Sequence, residues 1–165
     1  MVRRQQYEKK SMFVIFFMTN GPLLIHQVPS GITINAMYYR DQCLKPLVKN
    51  LHRKRPSSTS NGIKLHLENA RPHVKDVVIH YLQEEKIKLM VHPPYSPNLA
   101  PSDFWLFSYL KHRLDTYPDA TSLTKAITKE LNSIPMGEYQ KTFHKWIERM
   151  KLCIEHHGDY FEHLV

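Results

Sequence analysis

Apolar residues run unbroken from Met12 to Met18 (Met-Phe-Val-Ile-Phe-Phe-Met) and resume at Leu23-Leu-Ile-His-Gln-Val28 after Thr19-Asn-Gly-Pro22. Val, Ile and Phe favour strands, and Asn-Gly between two apolar runs is a strong hairpin signal. The pattern predicts two antiparallel strands, broken by Pro29-Ser-Gly31. The period then changes to 3.6: Ile34, Met37, Tyr38, Leu44, Leu47, Val48 and Leu51 predict a helix capped by Thr33 and running to about Leu51. Pro46 inside it predicts a kink or an early end. Ile63, Leu65 and Leu67 alternate with Lys64 and His66, which predicts a third strand. Val74, Val77, Val78, Tyr81 and Leu82 mark a helix, and Ile87 to Val91 a fourth strand. Pro93, Pro94, Pro97 and Pro101 require an extended, turn-rich segment. Ser102 is the expected cap of a helix starting near Asp103 and holding Trp105, Leu106, Tyr109 and Leu110. Two more helices follow, at about 122–131 and 138–157, the second with Phe143, Ile147, Met150 and Ile154 on one face. This order predicts one mixed α/β domain over residues 1–165, an antiparallel pair feeding a parallel part, with residues 1–10 as a flexible basic arm.

Composition narrows the class. The chain is 42% hydrophobic and 23% charged over 165 residues, which argues against a disordered or collagen-like chain. Two cysteines, Cys43 and Cys153, exclude a disulfide-dense scaffold and read as simple thiols. The longest apolar run is far below the roughly 18 residues of a membrane span. It follows a basic start, as in a signal peptide, but it ends in Thr-Asn-Gly-Pro with no small-residue cleavage pattern, so it reads as a strand. No zinc-ligand spacing accompanies the 11 histidines, and there is no Gly-rich phosphate loop. The helical spacing of Trp105, Phe107, Phe143 and Trp146 favours core packing over base stacking.

Charge is distributed unevenly. Residues 1–64 hold 11 Lys/Arg against two acids, a net +9; residues 65–165 hold 12 against 13, a net −1. Such asymmetry points to a polyanionic partner, nucleic acid or an anionic membrane surface, or else to a solvated basic face. The densest basic cluster is Lys45, Lys49, Arg53, Lys54 and Arg55, and Lys111 and Arg113 form a second. These are candidate DNA-phosphate contacts, giving salt-dependent, sequence-independent binding.

Two acids stand out by position. Glu68 ends a predicted strand, and Asp103 lies where the proline-rich segment enters a helix. Acids so placed can converge at one end of a sheet and hold Mg²⁺ or Mn²⁺. Helix capping for Asp103 and a solvated strand end for Glu68 are the competing readings.

The surrounding blocks sharpen this. Lys64-Leu-His-Leu-Glu-Asn-Ala-Arg-Pro-His73 and His92-Pro-Pro-Tyr-Ser-Pro-Asn-Leu-Ala-Pro-Ser-Asp-Phe-Trp-Leu-Phe107 resemble the signature blocks of mariner (Tc1/mariner, DD34D-type) transposases. That family places 34 residues between its second and third catalytic acids, and here residues 69 through 102, also 34, separate Glu68 from Asp103. The resemblance implies a ribonuclease-H-like fold, a mixed sheet with flanking helices. It also implies DNA transposition chemistry with three acids and two Mg²⁺ ions, and a nuclear location. By position, Glu68 matches the second acid and Asp103 the third, as catalytic residues and metal ligands; Asn69 and His73 match neighbours of the first block.

Departures from the family pattern change the expected activity. The family's first acid sits on a first core strand upstream of the segment matching Met12–Met18, and neither Glu8 nor Asp41 matches it, so that strand and acid are expected to be missing. Glu68 replaces an Asp, which displaces the carboxylate where Mg²⁺ demands near-ideal geometry. Leu67 replaces a His and Asn98 an Asp, and no helix-turn-helix segment for end recognition is visible. Three readings follow. The leading one is a transposase-derived domain, catalytically inactive, that binds DNA weakly through phosphates, with a homodimer or protein partner also open and no membrane role. The second is an active Mg²⁺- or Mn²⁺-dependent endonuclease or strand-transferase; the third is a remnant without function. Without activity, no cofactor is expected.

Overall fold

The computed structural model describes residues 10–55, 62–90, 92–158, 161 and 163. The basic arm expected at 1–10 lies almost wholly outside these residues, as does most of the loop after Arg55. Strands β1 (Met12–Met18) and β2 (Gly21–Val28) form the expected hairpin. Gly21 turns the chain at φ +118°, a backbone region that side chains with a Cβ rarely enter. The pairing slips between Phe16 and Phe17, so that Phe17 sits opposite Pro22. A bulge there accommodates a proline that cannot donate to the ladder.

The hairpin is unbroken in its hydrophobicity because it is covered on both faces. Val14 and Phe16 join a core with Tyr39, Leu44, Leu47, Val78 and Leu82. Phe13, Ile15 and Phe17 pack against a second core of Leu106, Leu110, Ile127, Leu131 and Tyr139. Alternation would have signalled one wet face; none exists here.

The first helical region departs from the sequence expectation. Asn35, not Thr33, is the cap: its Oδ1 accepts from the Tyr38 N–H at 2.8 Å. Helix α1 (Ala36–Tyr38) runs through a π-helical turn, Tyr39–Leu44, into α2 (Lys45–Lys54). Pro46 therefore does not end the helix. The wider turn, with Lys45 N–H reaching back to Arg40 O, precedes the proline and leaves it in the first turn of α2, where its missing N–H costs little. Asn35→Ala should cost about 1 kcal/mol in urea unfolding while Asn35→Ser costs less; equal stability of all three chains would contradict the cap.

Strand β3 (Lys64–His66) pairs in parallel with β4 (Lys88–Met90), joined by α3 (Asp76–Glu84). Both strands are shorter than their apolar patterns implied, and Val74 is exposed in a 3₁₀ turn ahead of α3 instead of on its buried face. Hairpin and parallel pair are separate two-stranded sheets, with no pairing between β1 and β3 among the described residues, in keeping with the mixed sheet lacking its first core strand. Helices α4 (Phe107–Lys111), α5 (Ala120–Ser133) and α6 (Met136–Glu155) complete the chain.

The face of α6 also differs from expectation. Ile147 and Ile154 are exposed, at 47% and 75%, and the buried set is Tyr139, Thr142, Trp146 and Arg149. Spacing alone offered both stripes. Tyr139 and Trp146 win because each has a polar tip with a partner: Tyr139 Oη donates to Leu131 O, and Trp146 Nε1 to Leu99 O. Of the aromatics expected in the core, Trp105 packs against Phe17 and Tyr139, whereas Phe107 is 43% exposed. Cys43 is buried, its thiol pushed up to about 11 by burial, and Cys153 is a partly exposed free thiol.

Candidate active site

The chain leaves β3 through buried Leu67 and immediately presents Glu68 to solvent. This turn is pinned from two sides. Asn69 Nδ2 donates to the carbonyl of His92, just beyond β4, and His73 Nδ1 lies 3.3 Å from Glu68 O. The His73 ring rests on buried Tyr39 at 4.2 Å between centroids, and burial holds its pKa below the usual value. Asn69 thus ties the Glu68 turn to the residue beyond β4, and His73 meets the Glu68 carbonyl itself.

Asp103 arrives from the other side on the proline-rich segment. Pro97–Leu99 forms a 3₁₀ turn, and Ser102–Leu106 a π-helical turn leading into α4. Pro101 occupies the cap position and Ser102 makes no side-chain cap, so the helical geometry starts earlier than the sequence implied. Asp103 N–H donates to Ala100 O at 2.9 Å. The segment is clamped by α6: Trp146 Nε1 donates to Leu99 O at 2.7 Å, Arg149 Nη1 to Asn98 O at 3.1 Å, and the Arg149 guanidinium lies 4.5 Å over the Phe104 ring.

The two carboxylates share one electrostatic environment. Burial raises the Asp103 pKa, the Glu68 charge raises it further, and His92 opposes the shift. His92 is buried and bonds His66 between ring nitrogens at 2.9 Å; His66 also packs on Trp146 at 4.8 Å. Burial, with a smaller push from His92, holds His66 down to about 4.

His66 therefore favours folding while neutral. Its folded pKa is below the usual 6.5, so its contribution is whole above about 6.5 and is lost as pH falls toward 4. Asp103, shifted upward, acts in the opposite sense. The Tm should fall between pH 6.5 and 4, and His66→Gln should flatten that fall; a variant that tracks the parent chain across the window would contradict this.

Among the described residues, no group of three or more His, Cys, Asp and Glu side chains could hold a metal. Two carboxylates fit one hydrated Mg²⁺ or Mn²⁺, which keeps several waters and takes one or two carboxylates. They do not fit a pair of ions bridged between attacking and leaving oxygens.

The basic candidates fall into two sets. Lys45 is 2.8 Å from Asp41, which Arg40 also grips, and together they hold Asp41 well below the usual carboxylate range. Lys54 Nζ donates to Pro22 O and Arg53 Nη2 to Asn50 Oδ1. Lys49 and Arg55 are exposed on and beside α2. Lys111 is exposed at the end of α4, and Arg113 stacks 3.7 Å over Tyr109 with Glu130 at 4.0 Å.

Strand-end Glu68 and helix-start Asp103 influence one another beside a parallel β-α-β unit and a hairpin, and the whole matches the ribonuclease-H-like, DDE-type fold of solved mariner transposase structures. Residues 1–61 match the family model "Transposase (partial DDE domain)". The Mos1 mariner transposase of Drosophila mauritiana is 30% identical over 97% of this chain and 47% of its own length. The human histone-lysine N-methyltransferase SETMAR is 26% identical over 94% of this chain and 23% of its own. The crystal structure of the Mos1 catalytic domain superposes with a TM-score of 0.86 at 29% identity, covering 93% of this chain and 77% of that one. Mos1 structures include a paired-end complex with Mn and a catalytic domain with Mg. The chain is a homologue of the mariner transposases in the region of their catalytic domain. It spans less than half the length of Mos1 and about a quarter of SETMAR.

Sequence reasoning missed the clamp on the Asp103 segment. Its signal was present: Tyr139, Thr142, Trp146 and Arg149 recur at helical spacing with polar tips that need partners.

Proposed function

We propose that this mariner-transposase-derived domain binds DNA through phosphate contacts, without sequence preference, and does not carry out two-metal strand cleavage or transfer. The observation that carries the reading is the donor set at the site: Glu68 and Asp103 interact, and no third ligand completes a metal-holding group among the described residues. Glu for Asp at position 68 points the same way, since the longer side chain shifts the carboxylate relative to Asp103. Glu68 and Asp103 are the residues that would hold one hydrated divalent cation. When bound, such an ion neutralises phosphate charge. The residues around it have defined tasks. Asn69 and His73 fix the Glu68 turn, and Trp146 and Arg149 fix the segment bearing Asp103.

Supercoiled plasmid incubated with the chain and Mn²⁺ or Mg²⁺ tests this reading. Nicking should stay at background and be equal for the parent chain and Asp103→Ala. Cleavage that the substitution abolishes would instead support the active nuclease reading.

A further inference from the structure

Helix α6 carries two stripes, and the fold covers only one of them. Tyr139, Thr142, Trp146 and Arg149 are turned into the protein. The other stripe is Met136, Phe143, Ile147, Met150 and Ile154, at intervals of seven, four, three and four residues, with Gln140 falling on the same line. That alternation of threes and fours is the pattern of a coiled-coil seam. Met136 is 56% exposed, Ile147 47% and Ile154 75%, and Phe143 and Met150 are half-buried. Single exposed apolar residues are ordinary, but an apolar line along a helix of 20 residues marks an interaction surface. We propose that this stripe is a docking site for an amphipathic helix of a partner polypeptide, one whose flank is acidic. The inference stands apart from both DNA binding and metal chemistry.

Two observations name the occupant. The first is spacing. Seam residues on a helix recur about every 5 Å along its axis, whereas side chains on one face of a strand recur about every 7 Å. A strand laid on α6 falls out of register after a few contacts, and a second helix stays in register along the whole seam. The second is charge. On one side the seam is flanked by Tyr139, Trp146 and Cys153, which lie toward the fold. On the open side its neighbours are His144 and Lys151, both exposed. Glu148 and Glu155 lie further round the helix, beyond them. The charges nearest a docked helix are therefore basic, and Glu or Asp on its flank answers them. A second copy of α6 does not. Laid antiparallel, it sets Lys151 and His144 against their own kind. Laid parallel, it sets them against the flank that its own fold covers.

The test uses the whole chain, without DNA, and two fluorescently labelled synthetic helices with Leu at every seam position. One carries Glu at all flanking positions and the other Lys, so that each repels its own copies. Anisotropy should show saturable, stoichiometric binding of the Glu-flanked helix and about tenfold or more weaker binding of the Lys-flanked one. The double variant Ile147→Asp/Ile154→Asp should abolish binding of both. These two side chains are exposed, so its Tm should stay close to that of the parent chain. His144→Glu/Lys151→Glu should reverse the preference between the two helices. Equal binding of both helices, or no binding, would overturn the proposal. Binding of the Glu-flanked helix that survives the double Asp variant would also overturn it, because the basic residues of α2 would then be the contact. So would a concentration-dependent dimer in sedimentation that the same variant dissolves, since a second copy would then cover the stripe.

Discussion

Raising salt from about 50 to about 200 mM should weaken binding of this chain to duplex DNA by roughly a hundredfold, and by the same factor for unrelated sequences. Each phosphate neutralised contributes a slope of about −0.9 in log K against log salt, and about four cations give that loss. The exposed cations of the densest basic cluster are the expected contacts. Lys49, Arg53, Lys54 and Arg55 project from α2 and its end, exposed. Lys45 is already answered by Asp41, and Arg113 by Glu130 and the Tyr109 ring. The double variant Arg53→Glu/Arg55→Glu should therefore flatten the slope by about two, whereas Lys45→Ala should leave affinity within about twofold. Fluorescence anisotropy at several salt concentrations reads both. Tight binding that ignores salt, or a dominant loss from Lys45→Ala, would contradict the account.

Trp146→Ala should lower stability by about 3–5 kcal/mol, among the largest losses from any single side chain here. The indole packs on His66 and Phe143 and donates to Leu99 O at 2.7 Å. Its removal opens a cavity and frees the segment that carries Asp103. Trp146→Phe keeps much of the packing and leaves the Leu99 carbonyl without its donor, so about 1–2 kcal/mol is expected. Urea unfolding separates the two, and near-equal losses would mean that the hydrogen bond, lost in both, carries most of the effect and the packing little. Exchange at residues 97–104 should rise in the Ala variant, as expected if α6 positions the acid as well as supporting the core.

Much of this was legible in the chain because local chemistry and tertiary structure agree. Asn20-Gly21 between apolar runs marks the hairpin, and the proline-rich block marks the entry of Asp103 into a helix. Legibility failed where two local solutions compete. Around Pro46 the sequence cannot show that a widened turn will absorb a residue that normally ends a helix. On α6, Phe143-Ile147-Met150-Ile154 and Tyr139-Thr142-Trp146-Arg149 are both helical stripes, and only the carbonyls of Asn98, Leu99 and Leu131 decide between them. At the site, spacing and resemblance singled out Glu68 and Asp103, and their mutual influence appears in the raised Asp103 pKa. The buried His66–His92 pair behind them had no sequence signal beyond two histidines among 11.

The central claim is that Glu68 and Asp103 supply ligands for one divalent cation and not for a coupled pair. Electron paramagnetic resonance during Mn²⁺ titration of the chain, with and without short duplex DNA, tests it most directly. A single weakly held, magnetically isolated Mn²⁺ that Asp103→Ala abolishes is expected. Two ions bound together with an exchange-coupled spectrum would contradict it.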